Sequence, residues 1–248
     1  MTISFQLYSA RNFTPWDEVF KTISGLGYEA VEGYGALYED TDKVRAAMKA
    51  TNLTMPTAHV GISDLENNLA GVIQTANALG INAIYAPHIA ESERPTDEAG
   101  WVNFAKRLEN IAASLAGEGI EFGWHNHDFE MIAQADGSIP MKTILDSAPN
   151  LDWEADIAWI ARGGGDIAAW IDSYGGRIKA VHIKDIAPVG ENTDEDGWSD
   201  VGEGIMDWAG ILSDLRRKTT AKYFVMEHDN PNNMARFATR SITNYKSI

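Results

Sequence analysis

No cysteine occurs in the 248 residues, which excludes disulfides, thiolate metal ligands and thiol nucleophiles. Basic residues are scarce, with 20 Lys and Arg against 36 Asp and Glu and a formal charge of −16. A surface of that sign repels phosphate backbones and anionic lipid headgroups, and no basic stripe offsets it. Nucleic acid and membranes are therefore not expected as partners. No apolar run approaches the roughly 20 residues needed to span a bilayer. The N-terminus Met1-Thr2-Ile3-Ser4 lacks the basic and apolar regions of a secretion signal, so a cytoplasmic location is expected. A glycine-rich turn after the first strand is missing too, since Tyr8-Ser9-Ala10-Arg11-Asn12 contains none, and this argues against a dinucleotide-binding open sheet. Chemistry is left to His, Asp, Glu, Lys or a bound ion.

The apolar fraction of 44% and charged fraction of 23% are those of an ordinary globular chain. Its length suits one domain, residues 1–248, with no linker or low-complexity tract. Short β-rich runs alternate eight times with longer helix-patterned segments. Predicted strands are Ile3–Tyr8, Ala30–Glu32, Met55–Val60, Ala83–His88, Glu121–Asn126, Leu151–Ile157, Ile178–Asp185 and Lys222–His228. Between them, Thr14-Pro15 reads as an N-cap followed by proline at the first helical position, and Gly25 and Gly27 stop that helix. Ser63-Asp64-Leu65-Glu66 reads as a capping box opening a helix to Gly80. Thr96, Glu98 and Ala99 open another, carrying Trp101, Phe104, Leu108, Ile111 and Leu115 at helical spacing. Further helices are expected from near Asp40, Ser138, Asp166, Asp207 and Pro231. Eight strand-then-helix units call for parallel pairing and favour closure into a single (β/α)8 TIM barrel. The longest irregular stretch, Ala187–Gly204, follows the seventh strand and has the length of a functional lid.

In a closed barrel the site lies where the strands end. Glu32 ends the second strand, His59 the third, His88 the fourth, His125-Asn126-His127 the fifth, Asp156 the sixth, His182 the seventh and Glu227-His228 the eighth. All six histidines of the chain occupy such ends, a coincidence that independent structural roles do not explain. Imidazole with carboxylate suits Zn, Mn, Fe or Co, whereas Mg or Ca would want oxygen alone. The two-residue period puts His125 and His127 on one side of their strand and Asn126 on the other. Likewise His182 and Lys184 share a face opposite Val181 and Ile183.

These residues resemble the xylose isomerase-like TIM barrel superfamily, which includes sugar phosphate isomerases and epimerases, inosose dehydratase and endonuclease IV. The resemblance covers essentially the whole chain. It is carried by Trp124-His125-Asn126-His127-Asp128-Phe129-Glu130, Ala155-Asp156, Val181-His182-Ile183-Lys184-Asp185, Val201-Gly202-Glu203-Gly204 with Asp207-Trp208, and Met226-Glu227-His228-Asp229. In the family a metal is held in the order Glu, Asp, His, Glu on strands five to eight, which implies Asp156, His182 and Glu227 here. The fifth-strand glutamate is replaced. His125 is the fourth ligand by register, with His127 and Glu130 as alternatives, and manganese comes first among the ions expected. Endonuclease IV carries a histidine where this chain has Trp159 and an Asp-x-His pair in the loop after strand seven, which has no histidine here. Together with the acidity, this argues against DNA repair.

The resemblance implies a divalent-metal-dependent sugar isomerase or epimerase that abstracts a proton next to a carbonyl and stabilises an enediolate. Glu227 is the implied base, His127 or His59 its acid partner, and Lys184 a stabiliser of oxyanion charge or a partner in a salt bridge. Glu32, His88, Trp124, Glu130 and Asp185 are expected to contact substrate. Trp16, Trp124, Trp159 and Trp198 are candidates to stack on a sugar ring, whereas Trp101 and Trp170 are expected to pack helices. The acidic stretch Ala187–Gly204 points to a neutral sugar or keto-sugar. Loss of the fifth-strand glutamate opens a second reading, a lyase, dehydratase or hydrolase of a keto-sugar, inosose or 3-keto-glycoside. A third is a sugar-binding barrel without catalysis. Either a homo-oligomer or pairing with a second subunit is compatible with the sequence.

Overall fold

The computed structural model describes all 248 residues, Met1–Ile248. Eight parallel strands close on themselves: β1 (Thr2–Gln6), β2 (Ala30–Gly33), β3 (Thr54–His59), β4 (Ala83–Ala86), β5 (Glu121–His125), β6 (Asp152–Asp156), β7 (Ile178–Ile183) and β8 (Tyr223–Met226). Each pairs with its neighbour in sequence, and β8 returns to β1 with Ile3 opposite Phe224 and Phe5 opposite Met226. The (β/α)8 barrel expected from the sequence is therefore the observed fold. No helix is long and apolar enough to cross a membrane.

Alternation along each strand sorts its side chains. Phe5, Val31, Met55, Ile84, Phe122, Trp124, Trp153, Val181 and Phe224 point outward into one continuous core beneath the helices. The other face is small or polar and turns inward, with Ser4, Gln6, Glu32, Thr57, His59, His125, Glu154, Asp156 and His182 all buried. Trp101 and Trp170 pack among helices as expected, Trp101 edge-on to Phe104 and Trp170 edge-on to Trp153.

Helix starts at Asp40, Asp166 and Asp207 are capped by those side chains, which accept from the backbone N–H of Lys43, Ala169 and Gly210. Other boundaries differ. Pro15 itself is the N-cap of Trp16–Gly25, in extended conformation, and Thr14 lies outside. Gly61 rather than Ser63 precedes Ile62–Asn67, and Asn68, at ψ 40°, breaks the expected single helix before Leu69–Leu79. Asp97, one residue after Thr96, caps Glu98–Ala116.

The segment 187–204 is more ordered than its composition suggests. Trp198–Ser199 pairs antiparallel with Asp185–Ile186. Asp185 then accepts four backbone N–H groups, from Ile186, Gly202, Gly204 and Met206. This close wrap needs glycine at 204, where a Cβ would lie 2.2 Å from Asp185 Oδ1 and 2.3 Å from Ile186 O. Gly204→Ala is expected to cost about 1–3 kcal/mol through overpacking, read as a lowered midpoint in thermal unfolding. A midpoint equal to wild type would show that the wrap is slack.

Candidate metal centre and active site

The C-terminal ends of the strands enclose a cavity of ≈ 500 Å³. Its floor is formed by His59, His125, Glu227 and Asp229, and its walls by Tyr8, Tyr34, His88, His127 and Trp159. Within hydrogen-bonding reach below lie His182 and Lys184, both without solvent exposure.

His125, Asp156, His182 and Glu227 each offer a ligand atom, and these atoms all lie within 4.8 Å of one another. They sit at the ends of four consecutive strands, so the barrel's own curvature brings them together. His125 Nε2 is 3.9 Å from Asp156 Oδ2, and His182 Nδ1 is 2.9 Å from Glu227 Oε2. Asp156 fixes the next turn through Oδ1, which accepts from Trp159 N. Its buried Oδ2 has no hydrogen-bond partner, although the Lys184 ammonium lies 3.1 Å away. Lys184 also meets Glu227 and Asp229 at 2.8 Å. Three carboxylates surround one ammonium, and the mixed N and O donors suit Zn, Mn, Fe or Co. The residues present fit such an ion.

The electrostatics follow from burial and these neighbours. Burial alone would raise Glu227, but Lys184 and His182 hold its carboxyl well below the usual range. Burial would likewise lower Lys184, yet Asp156, Asp229 and Glu227 raise it, so it stays an ammonium. Burial and the neighbouring His182 lower His125 to about 4, and burial with His125 and Lys184 brings His127 well below its ordinary value. Both are neutral at pH 7, whereas His182, which burial would lower, is raised well above its ordinary value by Glu154, Glu227 and Glu32. His127 reaches the cavity with a buried Nδ1 that has no partner.

Several expected roles change. Glu32 does not line the cavity. It is fully buried, and its Oε1 accepts from Gln6 Nε2 at 2.7 Å and lies 2.7 Å from His182 Nε2. Trp124 points outward, edge-on to Phe104, because the strand period that turns His125 inward turns its neighbour out. Glu130 accepts from Trp124 Nε1 and from the backbone N–H of His127, which removes it from both substrate and metal and makes it a support for His127. Asp185 is consumed by the loop wrap described above. His59 lines the cavity, but its Nε2 is 2.6 Å from Glu154 Oε2 and its Nδ1 faces Gln6 Nε2, so the ring has no free proton to give a substrate. His88 is exposed at the rim, edge-on to His127. His228 faces Phe237, outside the cavity. Of the stacking candidates, Trp159 lines the cavity, Trp198 packs against Trp159 and Lys184 beneath it, and Trp16 leans on Tyr34 at the rim.

The acids of segment 187–204 are partly neutralised, since Glu195 and Asp200 are buried on Arg236. Glu154 was not anticipated, although its place two residues before Asp156 on one strand put it on the same inward face. Asp229 carries the same signal, two residues beyond Glu227 in the Met226-Glu227-His228-Asp229 motif, and Gln6 lies within the first predicted strand.

Glu130 gives a test of this arrangement. Burial outweighs its hydrogen bonds and raises its carboxyl from 4.5 to about 8. Between those values the folded chain holds a proton that the unfolded chain releases, so this residue's contribution declines as pH rises through that window. Against wild type, Glu130→Gln should gain stability progressively from about pH 5 to about pH 8. Denaturant midpoints at both pH values check this, and a pH-independent difference would remove Glu130 from the titrating set.

The sequence model described as the xylose isomerase-like TIM barrel matches residues 20–245. No curated protein sequence matches the chain. Among solved structures, a sugar phosphate isomerase/epimerase from Parabacteroides distasonis superposes with a TM-score of 0.81 at 17% identity, covering 98% of this chain and 92% of that one. A probable 3-DHS dehydratase from Bacillus anthracis gives 0.79 at 15% identity, covering 99% of each chain. The IolI protein, solved with a bound zinc atom, gives 0.80 at 14% identity, covering 100% and 97%. At these identities the likeness is one of fold.

Proposed function

The chain belongs to the xylose isomerase-like TIM barrel family, and from that premise we propose that it is a divalent-metal-dependent sugar isomerase or epimerase. The observation that carries this reading is the convergence of His125, Asp156, His182 and Glu227 at the base of a cavity of ≈ 500 Å³, which His125 and Glu227 line and beneath which Asp156 and His182 are buried. These four would hold the ion, which supplies Lewis-acid polarisation of a carbonyl when bound. The zinc of the IolI protein and the isomerase/epimerase and dehydratase names of the structural relatives support a metal and sugar chemistry without fixing the ion.

The residues divide the remaining work. Glu227, held ionised beside Lys184, removes the proton next to the carbonyl. His127, neutral and with Nδ1 free, takes up or returns a proton across the cavity. Lys184, buried beneath the cavity and paired with Asp156, Glu227 and Asp229, acts through these salt bridges and keeps Glu227 ionised. Trp159, Tyr8 and Tyr34 offer faces to the apolar side of a sugar ring. No lysine or arginine lines the cavity, which fits an uncharged sugar or keto-sugar better than a phosphorylated one.

One observation favours a second reading, a lyase or dehydratase acting on a keto-sugar. With Glu130 turned away, β5 presents imidazoles rather than a carboxylate, so the proton-transfer groups are chemically unlike. A symmetric two-carboxylate exchange is then not available, whereas elimination asks for no such symmetry.

Elemental analysis of purified protein should find about one equivalent of Mn, Zn, Co or Fe, lost in His182→Ala. Absence of metal after incubation with each ion would sink the reading. Mass-resolved product analysis on neutral ketoses and keto-glycosides then separates the two reactions. Isomerisation conserves substrate mass, whereas elimination lowers it by one water from a keto-sugar or by the aglycone alcohol from a keto-glycoside. A further check is Lys184→Met, expected to lower metal-free stability by about 3–5 kcal/mol through the carboxylates left unpaired. Added cation should restore more of the thermal midpoint in this variant than in wild type.

A further inference from the structure

The two histidines of the metal centre are each gripped by a carboxylate on the side away from the cavity. His125 Nδ1 lies 3.0 Å from Glu154 Oε2, and His182 Nε2 lies 2.7 Å from Glu32 Oε1. The opposite ring nitrogens are those that face Asp156 and Glu227. His59 joins the two glutamates, with Nε2 at 2.6 Å from Glu154 Oε2 and 3.3 Å from Glu32 Oε1, and Gln6 Nε2 donates to Glu32. Gln6, Glu32, Glu154 and His182 have no solvent exposure, so these contacts act without competition from bulk water. An imidazole that ligates through one nitrogen carries its proton on the other, and the acceptor of that proton sets both tautomer and ring angle.

We propose that Glu32 and Glu154, tied together by His59, are positioning residues for the metal. Glu154 keeps the His125 proton on Nδ1 and Glu32 keeps the His182 proton on Nε2, which turns His125 Nε2 and His182 Nδ1 towards the cavity as ligands. The inference rests on the metal reading above and adds the reason why neither ring is free to choose its other nitrogen. His59, His125, Glu154 and His182 are themselves within 4.8 Å of one another, and Glu32 Oε2 and Glu154 Oε1 have no partner. A cation placed there would displace the protons that the glutamates hold, so the arrangement provides for one ion.

The test is titration of metal-free protein with Zn²⁺ and Mn²⁺ against a chromophoric chelator, with histidine ¹⁵N NMR on the zinc form. Wild type should bind one equivalent, with His125 protonated on Nδ1 and His182 on Nε2. Glu154→Ala and Glu32→Ala should bind about 10–100-fold more weakly. Glu154→Gln, whose carbonyl oxygen still accepts from His125, should recover most of the affinity. Circular dichroism shows which variants fold, and if the alanine variants do not, Glu154→Gln and the wild-type tautomers decide. Wild-type affinity in a folded Glu154→Ala, or the opposite tautomers, would overturn the proposal. So would a second equivalent in wild type that His59→Ala removes, which would make the inner group a cation site. Wild type that binds no metal would overturn the metal reading and this inference with it.

Discussion

The ammonium of Lys184 has no exposure to solvent and is held among Asp156, Glu227 and Asp229. A buried charge of this kind is tolerated only while its partners stay in place, because removing one leaves the others desolvated and unpaired. The constraint runs in both directions. The carboxylates need the ammonium, and the ammonium needs walls that keep water out. Trp159 and Trp198 supply those walls, with Lys184 Nζ 5.2 and 4.7 Å from their ring centres. Arg162 lies over the Trp198 ring in turn.

Barrels of this type are commonly filled by layers of branched apolar side chains. Here the layer nearest the cavity is made of glutamates, histidines and a glutamine, each hydrogen-bonded to another, with Glu32 Oε2 and Glu154 Oε1 left without a partner. Deeper in, Ala83, Tyr85 and Ala180 form a small apolar plug. The outward faces of the same strands carry the main core, so stability and chemistry are assigned to opposite faces of one sheet. That separation lets the inner face be charged without undermining the fold, provided that each inner group finds a partner.

Much of this was legible in the sequence. Eight alternating units and the placement of histidines at strand ends gave the barrel and drew attention to Asp156, His182, Glu227 and His125. The strand period placed Val181 and Ile183 outward and His182 inward, as observed. What escaped was what depends on partners rather than on pattern. Glu130 and Asp185 sit in motifs that look catalytic, yet Asp185 is taken by backbone N–H groups of the loop that follows and Glu130 by the Trp124 indole and the His127 backbone N–H, and nothing in residue type distinguishes such a carboxylate from one that faces a ligand. Trp124 follows the same two-residue period that turns His125 inward, and that period carries it outward onto Phe104. Glu154 lies inside its strand rather than at the end, so its inward face is marked only by its two-residue spacing from Asp156. The break at Asn68 reflects local backbone geometry that an unbroken apolar repeat conceals.

The segment after β7 has a less obvious anchor. Its acids Glu195 and Asp200 meet Arg236, its Val201 N–H donates to Ser241 Oγ, and Asn244 Nδ2 donates to Val201 O. All three partners belong to the last helix, Met234–Ser247. That helix is thus a brace for the roof over Lys184 as well as a layer of the outer shell. Perturbations on its inner surface would be felt as a loosening of the aromatic cover around the buried ammonium, and so at the cavity, from residues that do not line it.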